Sequence, residues 1–110
     1  MDRLTYLRQL LGESPQDTFI IYALAKEYEG RGDDDQALTY YQQLLTLDPD
    51  YVGAYYHLGK LQEKLDQAVT AFATYSKGME TAHKLGDQHA YSELAGARLQ
   101  LGDEDDFSGL

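Results

Sequence analysis

Few side chains in this sequence are of the kind that do chemistry, and fewer stand at a useful spacing. There is no cysteine, so no thiolate nucleophile, disulfide or thiolate metal site can form. The histidines are His57, His83 and His89. The last two flank Gly86, but a zinc site needs about four ligands, and no metal is expected. The acidic run Asp33–Asp35 lacks the ligand spacing of a calcium loop and reads as helix capping. No phosphate-cradling loop, His-x-x-x-His pair or nucleophile elbow occurs. No catalytic constellation assembles. The expectation is a protein that is not an enzyme and uses no cofactor.

What remains is the chemistry of binding. Tyr22 and Tyr56 each stand one residue past an apolar neighbour, Ile21 or Tyr55. On a helix that turns them ~100° away from it. Four residues on from each is a lysine, Lys26 or Lys60, and Lys64 continues the second row. Residues four apart share a helix face. Phe19 falls on the face of Tyr22 and Lys26, and its counterpart Gly53 leaves room beside Tyr56. Three of only nine basic residues thus lie on one predicted surface of a chain with net charge −10. Such a strip suits an extended peptide with an acidic side chain or a free C-terminal carboxylate, and tyrosine is enriched where binding energy concentrates. The plainer reading is a solvated helix surface with Lys26–Glu29 and Lys60–Glu63 pairs, each worth ~0.2–0.5 kcal/mol.

The charge excludes other partners. Nineteen acids against nine bases repel nucleic-acid phosphates and anionic lipid. Aspartate outnumbers glutamate, 12 to 7, although it is the poorer helix former. Life in high salt would favour that excess; an acidic soluble protein is the simpler account. The N-terminal apolar run is too short for a signal peptide, and none approaches the ~20 residues that cross a bilayer. A soluble, cytoplasmic protein is expected.

The elements that must hold the strip follow from a repeat. Leu4–Pro15 reads LTYLRQLLGESP and Leu38–Pro49 reads LTYYQQLLTLDP, identical at seven of twelve positions. The same 34-residue shift sets Tyr22 on Tyr56, Lys26 on Lys60, Glu29 on Glu63, Ala37 on Ala71 and Tyr41 on Tyr75. Ile21, Leu24, Ala25 and Tyr28 recur at helical spacing over Thr18–Glu29. Gly30, Gly32 and the aspartates break that helix, and Asp33 or Asp34 caps the next. Ala37, Leu38, Tyr41, Leu44 and Leu45 form its apolar face, and Pro49 stops it. Tyr55, Leu58, Gly59 and Leu61 mark a third helix. Tyr28, Tyr41, Tyr55 and Tyr75 read as core.

These residues resemble the tetratricopeptide repeat family. Its pattern is met by Ile21, Leu24-Ala25, Tyr28, Ala37, Tyr41 and Pro49, with Leu44 in place of a small residue. It is met again by Tyr55, Leu58-Gly59, Ala71, Tyr75 and Gly78, with Gln62 replacing the tyrosine and His83 the proline. The resemblance implies an all-α fold, a right-handed superhelical stack of antiparallel helix pairs with about six helices. It also implies a concave groove lined by the first helices, which would place Phe19, Tyr22, Lys26, Tyr56, Lys60 and Lys64 toward a protein or peptide ligand. The carboxylate-clamp subtype is excluded, because its asparagine has no counterpart in a chain without asparagine.

A single domain over 1–101 is expected. Residues 1–15 would be a half-repeat closing one end, 17–50 and 51–85 the two repeats, and 87–101 a capping helix carrying Tyr91, Leu94, Ala95, Arg98 and Leu99. End units of such arrays must cap the core. With no proline near Thr81, the preceding helix should run from about Gln67 to Leu85 and end at Gly86. Residues 102–110 are acidic and expected to be disordered. The alternative function is a structural unit that dimerises through Met1–Leu11 or Gln88–Leu101, or a fragment of a longer array.

Overall fold

The computed structural model describes residues 1–107. It contains α1 (Arg3–Glu13), α2 (Thr18–Gly30), α3 (Asp34–Leu47), α4 (Gly53–Lys64), α5 (Ala68–Leu85), α6 (Gln88–Leu101) and the single turn α7 (Glu104–Phe107). No strand occurs among the described residues, and no helix among them is long and apolar enough to cross a membrane. The chain divides into two compact units, Met1–Pro49 with α1 to α3 and Asp50–Leu110 with α4 to α7.

Side-chain caps start three of the six longer helices. Asp17 accepts from the N–H groups of Phe19 and Ile20, Asp33 from Gln36, and Asp87 from Ala90. Each satisfies a donor that the first turn leaves without a partner. Three helices end alike. The N–H of Asp33 returns to the Tyr28 carbonyl, that of Gln67 to Gln62 and that of Asp87 to Ala82. The residues just before, Gly32, Asp66 and Gly86, have positive φ. This is the Schellman closure, which turns the chain sharply enough to send the next helix back. α3 stops instead at Asp48, ahead of Pro49, as proline dictates.

Within each unit, neighbouring helices run antiparallel. Along α4 and α5, Tyr55 meets Gly78, Gly59 meets Tyr75 and Gln62 meets Thr74. The partners descend one helix as they climb the other. The first unit packs Ile21, Leu24, Ala25 and Tyr28 of α2 with Ala37, Tyr41 and Leu44 of α3. α1 adds one buried side chain, Leu7, and ties itself to α2 through Asp2–Arg31 and Arg3–Glu27 ion pairs. In the second unit Tyr55, Leu58 and Leu61 pack with Tyr75, Met79 and Leu94. All four tyrosines read as core are buried.

Two expectations are corrected. On α6 the buried residues are Leu94 and Ala97, while Leu99 is 71% exposed. Tyr91, Leu94, Ala95 and Arg98 face inward wholly or in part as expected; Leu99 does not, and Ala97 takes its place on the inner face. The tail is also not wholly irregular. Asp103 and Asp106 cap each other's N–H groups, α7 forms between them, and Phe107 packs on Phe72. Residues 108–110 of the expected tail lie outside the described residues.

Candidate peptide-binding surface

Each unit carries its own row of the residues singled out by spacing, Phe19, Tyr22 and Lys26 on α2 and Tyr56, Lys60 and Lys64 on α4. On α2 the Asp17 cap fixes the first turn, and Phe19 within it is 72% exposed. One turn on, Tyr22 is half-buried. Its ring meets the core Tyr41 edge to face, with centroids 6.3 Å apart and planes at 66°, a favoured aromatic geometry. Lys26, a turn further, is exposed.

On α4, Gly53 opens the helix with free space around it. Tyr56 is half-buried, and the Lys60 ammonium lies 5.7 Å from its ring centroid. That is within cation–π range. His57 stands edge to face with Tyr56 at 5.9 Å. Lys60 Nζ also reaches Glu63 at 3.8 Å, the pair expected from spacing. Lys64 is exposed in the last turn, where a cation complements the helix dipole. Spacing had placed Tyr56 and Lys60 on one face, and the structure brings them into contact. Phe19, Tyr22 and Lys26 share a face of α2.

A part-buried bond ties each of these helices to the one that follows it. The Tyr41 hydroxyl donates to Glu29 Oε1 at 2.7 Å, and the Tyr75 hydroxyl donates to Glu63. Burial first, and then the bond to a carboxylate, push both phenols well above the usual tyrosine range, so both stay protonated donors at neutral pH. Glu63 thus holds a core tyrosine and the strip lysine together.

No group of three or more metal-ligating side chains gathers among the described residues. His83 lies 6.4 Å from the Tyr91 ring, and His89 Nε2 stands 4.0 Å from Glu93. The reading by spacing missed a second feature. A cleft of about 580 Å³ opens beside α6, bordered by Met79, Tyr91, Arg98, Leu99 and Glu104. Phe72 and Arg98 meet beside it. Its only trace in the sequence is a lone arginine on an otherwise bland helix before an acidic tail.

The tetratricopeptide repeat family model matches residues 25–66. The solution structure of a tetratricopeptide repeat domain protein from Salinibacter ruber is similar at 45% identity, covering 80% of this chain and 89% of that one, with a TM-score of 0.76. This chain belongs to the tetratricopeptide repeat family. A crystal structure of a tetratricopeptide repeat domain protein from the same organism agrees at 46% identity, covering 77% and 94% of the two chains, with a TM-score of 0.74. A solution structure from Bordetella parapertussis shares 25% identity over 98% and 94%, with a TM-score of 0.81. No curated protein matches. Tetratricopeptide repeats are typically non-enzymatic scaffolds that mediate protein interactions.

Proposed function

We propose that this domain binds a peptide or extended protein segment through the first helices of its repeats, using Phe19, Tyr22, Lys26, Tyr56, Lys60 and Lys64. The ligand carries an acidic side chain or a free C-terminal carboxylate, and the encounter takes place in the cytoplasm. The observation that carries this reading is the Tyr56–Lys60 contact. It presents a ring and a cation side by side on a chain whose net charge is −10. Lys64 one turn along, and the same tyrosine–lysine spacing on α2, support it. Aromatic surface gives contact area at low entropy cost, and the cations select the sign of the partner.

The test is a pull-down from source-cell lysate with wild type and a Lys26→Glu/Lys60→Glu/Lys64→Glu variant of equal helicity. A partner held by the first and lost by the second supports the strip. The captured segment, made as a synthetic peptide, should then bind the variant at least ~30-fold more weakly, about 2 kcal/mol. A partner held equally by both overturns the assignment.

A further inference from the structure

α6 keeps the register of a first helix. A shift of 36 residues sets Tyr55, Leu58, Gly59 and Gln62 of α4 on Tyr91, Leu94, Ala95 and Arg98. On α4, Tyr55, Gly59 and Gln62 are buried where they meet α5. On α6, Tyr91, Ala95 and Arg98 are half-buried and line the 580 Å³ cleft, with Leu99 beside them 71% exposed. The face that holds a second helix in the α4–α5 pair is thus open on α6 among the described residues, with α7 already seated as one wall.

α7 has the register of the first turn of a second helix. The run Gly32-Asp33-Asp34-Asp35 that leads into α3 recurs 70 residues on as Gly102-Asp103-Glu104-Asp105. Asp33 accepts from the N–H of Gln36, and Asp103 accepts from that of Asp106, the same place in each. α7 therefore corresponds to 34–37 of the fourteen-residue α3. At the 34-residue shift, α1 corresponds to 37–47 of the same helix. The two partial helices together span one second helix.

The exposed side of α1 suits the open face of α6. In α3, Tyr40 stacks on Tyr28 and Leu44 is fully buried. Their counterparts on α1 are Tyr6, 52% exposed, and Leu10, half-buried. The bonds of Tyr41 to Glu29 and Tyr75 to Glu63 have Leu7 and Leu99 at the corresponding places. Both members have turned apolar, which leaves neither a hydroxyl nor a carboxylate without its partner. Arg3, 65% exposed, stands at the end of α1 that would approach the acids 103–106, so the charges are complementary.

We propose that α1 of one copy docks on α6 of a second copy, beside α7, so that two chains complete a helix pair between them. Tyr6 then meets Arg98, as Tyr40 meets Tyr28, and Leu10 meets Tyr91, as Gly78 meets Tyr55. α7 stays in place. The contact uses neither α2 nor α4 and is independent of the strip they carry. It joins unlike surfaces, so copies add in series rather than closing as a pair.

The test is sedimentation of the full-length chain from ~10 µM to ~1 mM. The weight-average mass of the wild type should rise with concentration past twice the 12.4 kDa of one chain. Tyr6→Lys sets a like charge against Arg98, and Leu99→Lys puts a charge on the apolar rim of the cleft. Each alone should weaken association at least ~tenfold, with far-UV circular dichroism unchanged, since both side chains are exposed. Mixed in equal amounts, the two variants should recover a dimer and stop there, because each retains the surface that the other has lost. A wild type that stays monomeric overturns the proposal. So does a mixture that stays monomeric, or a wild-type dimer that Tyr6→Lys abolishes and Leu99→Lys leaves intact, because α1 would then meet another α1.

Discussion

In the α2–α3 pair, Tyr28 stacks on Tyr40 with centroids 5.6 Å apart and planes nearly parallel. At the corresponding places of the α4–α5 pair stand Gln62 and Thr74, and the Thr74 hydroxyl donates to Gln62 Oε1 at 2.6 Å. A stack has been exchanged for a hydrogen bond, with both partners changed together. Ile21 and Leu44 likewise become Tyr55 and Gly78. There a large residue on the first helix accompanies the loss of a side chain on the second. A Cβ on Gly78 would meet Tyr55 Cβ at 2.6 Å. The bond from tyrosine to glutamate is kept in both. The frame is therefore set by that bond and by the helix-ending turns, while packing around it is solved pair by pair. Single residues should not move between repeats, but pairs should.

The sharpest way to break this comparison is to move one residue. Gly78→Leu, which installs the residue of the first repeat, should cost ~3 kcal/mol or more by overpacking against Tyr55. Tyr55→Ile alone should cost ~1–3 kcal/mol through the space it leaves. The double variant should be closer to wild type than Gly78→Leu is, giving a coupling of at least ~1.5 kcal/mol in a denaturant double-mutant cycle. Simple additivity would show that the two positions do not compensate. Gly59→Ala makes the same point at one site. Ala25 occupies that place in the first repeat, yet a Cβ on Gly59 would lie 2.7 Å from Tyr75 Cδ1.

Next in size is the polar pair. Thr74→Val keeps shape but leaves the buried Gln62, 3% exposed, without its donor. The expected loss is ~1–3 kcal/mol, the cost of an unsatisfied buried acceptor. Gln62→Leu in the same background should recover part of it. Thermal unfolding of the two variants measures both steps.

The element kept by both repeats predicts equal behaviour. Tyr41 and Tyr75 are held above the ordinary phenol value of 10.0 in the folded state. Their contribution is full below that value. Above it the unfolded chain ionises while the folded chain stays protonated, so stability falls as pH rises. The slope is about 1.4 kcal/mol per pH unit for each tyrosine. Tyr41→Phe and Tyr75→Phe should each flatten the alkaline limb by one such slope, seen in urea midpoints from about pH 9 to 11. Unequal flattening would mean that the two bonds are not the same device.

Much of this frame was legible because it is written locally. The 34-residue period, the stop at Pro49, the cap at Asp33 and the left-handed Gly86 are each decided within a few residues, and the helices begin and end close to where those signals stand. The aromatic and basic strip was legible as a face, since spacing alone puts Tyr56 and Lys60 on one side of a helix. That Lys60 divides itself between the Tyr56 ring and Glu63 depends on rotamers, which spacing does not specify. The Phe72–Arg98–Glu104 cluster was illegible for a different reason. It joins α5 of the second repeat to α6 and α7, which lie beyond the two repeats, and its aromatic cover comes from a segment whose composition reads as tail. Ala97 on the inner face of α6 was missed, and Leu99 wrongly included, because alanine and glycine carry little hydrophobic signal on either side.

The smallest effect sharpens the comparison through its sign. Gly32 and Asp66 occupy the same place in the turns that close α2 and α4, with φ of 79° and 63°. Both turns make the same return bond, Asp33 to Tyr28 and Gln67 to Gln62. A side chain in this conformation costs roughly 1–2 kcal/mol, less for aspartate than for most residues. Glycine avoids that strain but loses more freedom on folding, roughly 0.5–1 kcal/mol. Asp66→Gly should therefore gain about 0.5 kcal/mol, raising the thermal midpoint by ~2–4 °C. Gly32→Asp should lose a similar amount. Effects of opposite sign would confirm that the two turns are one structure written with two residues. If Asp66→Gly lowers the midpoint instead, the aspartate side chain stabilises its turn in a way the first repeat does without, and the two closures are alike only in backbone.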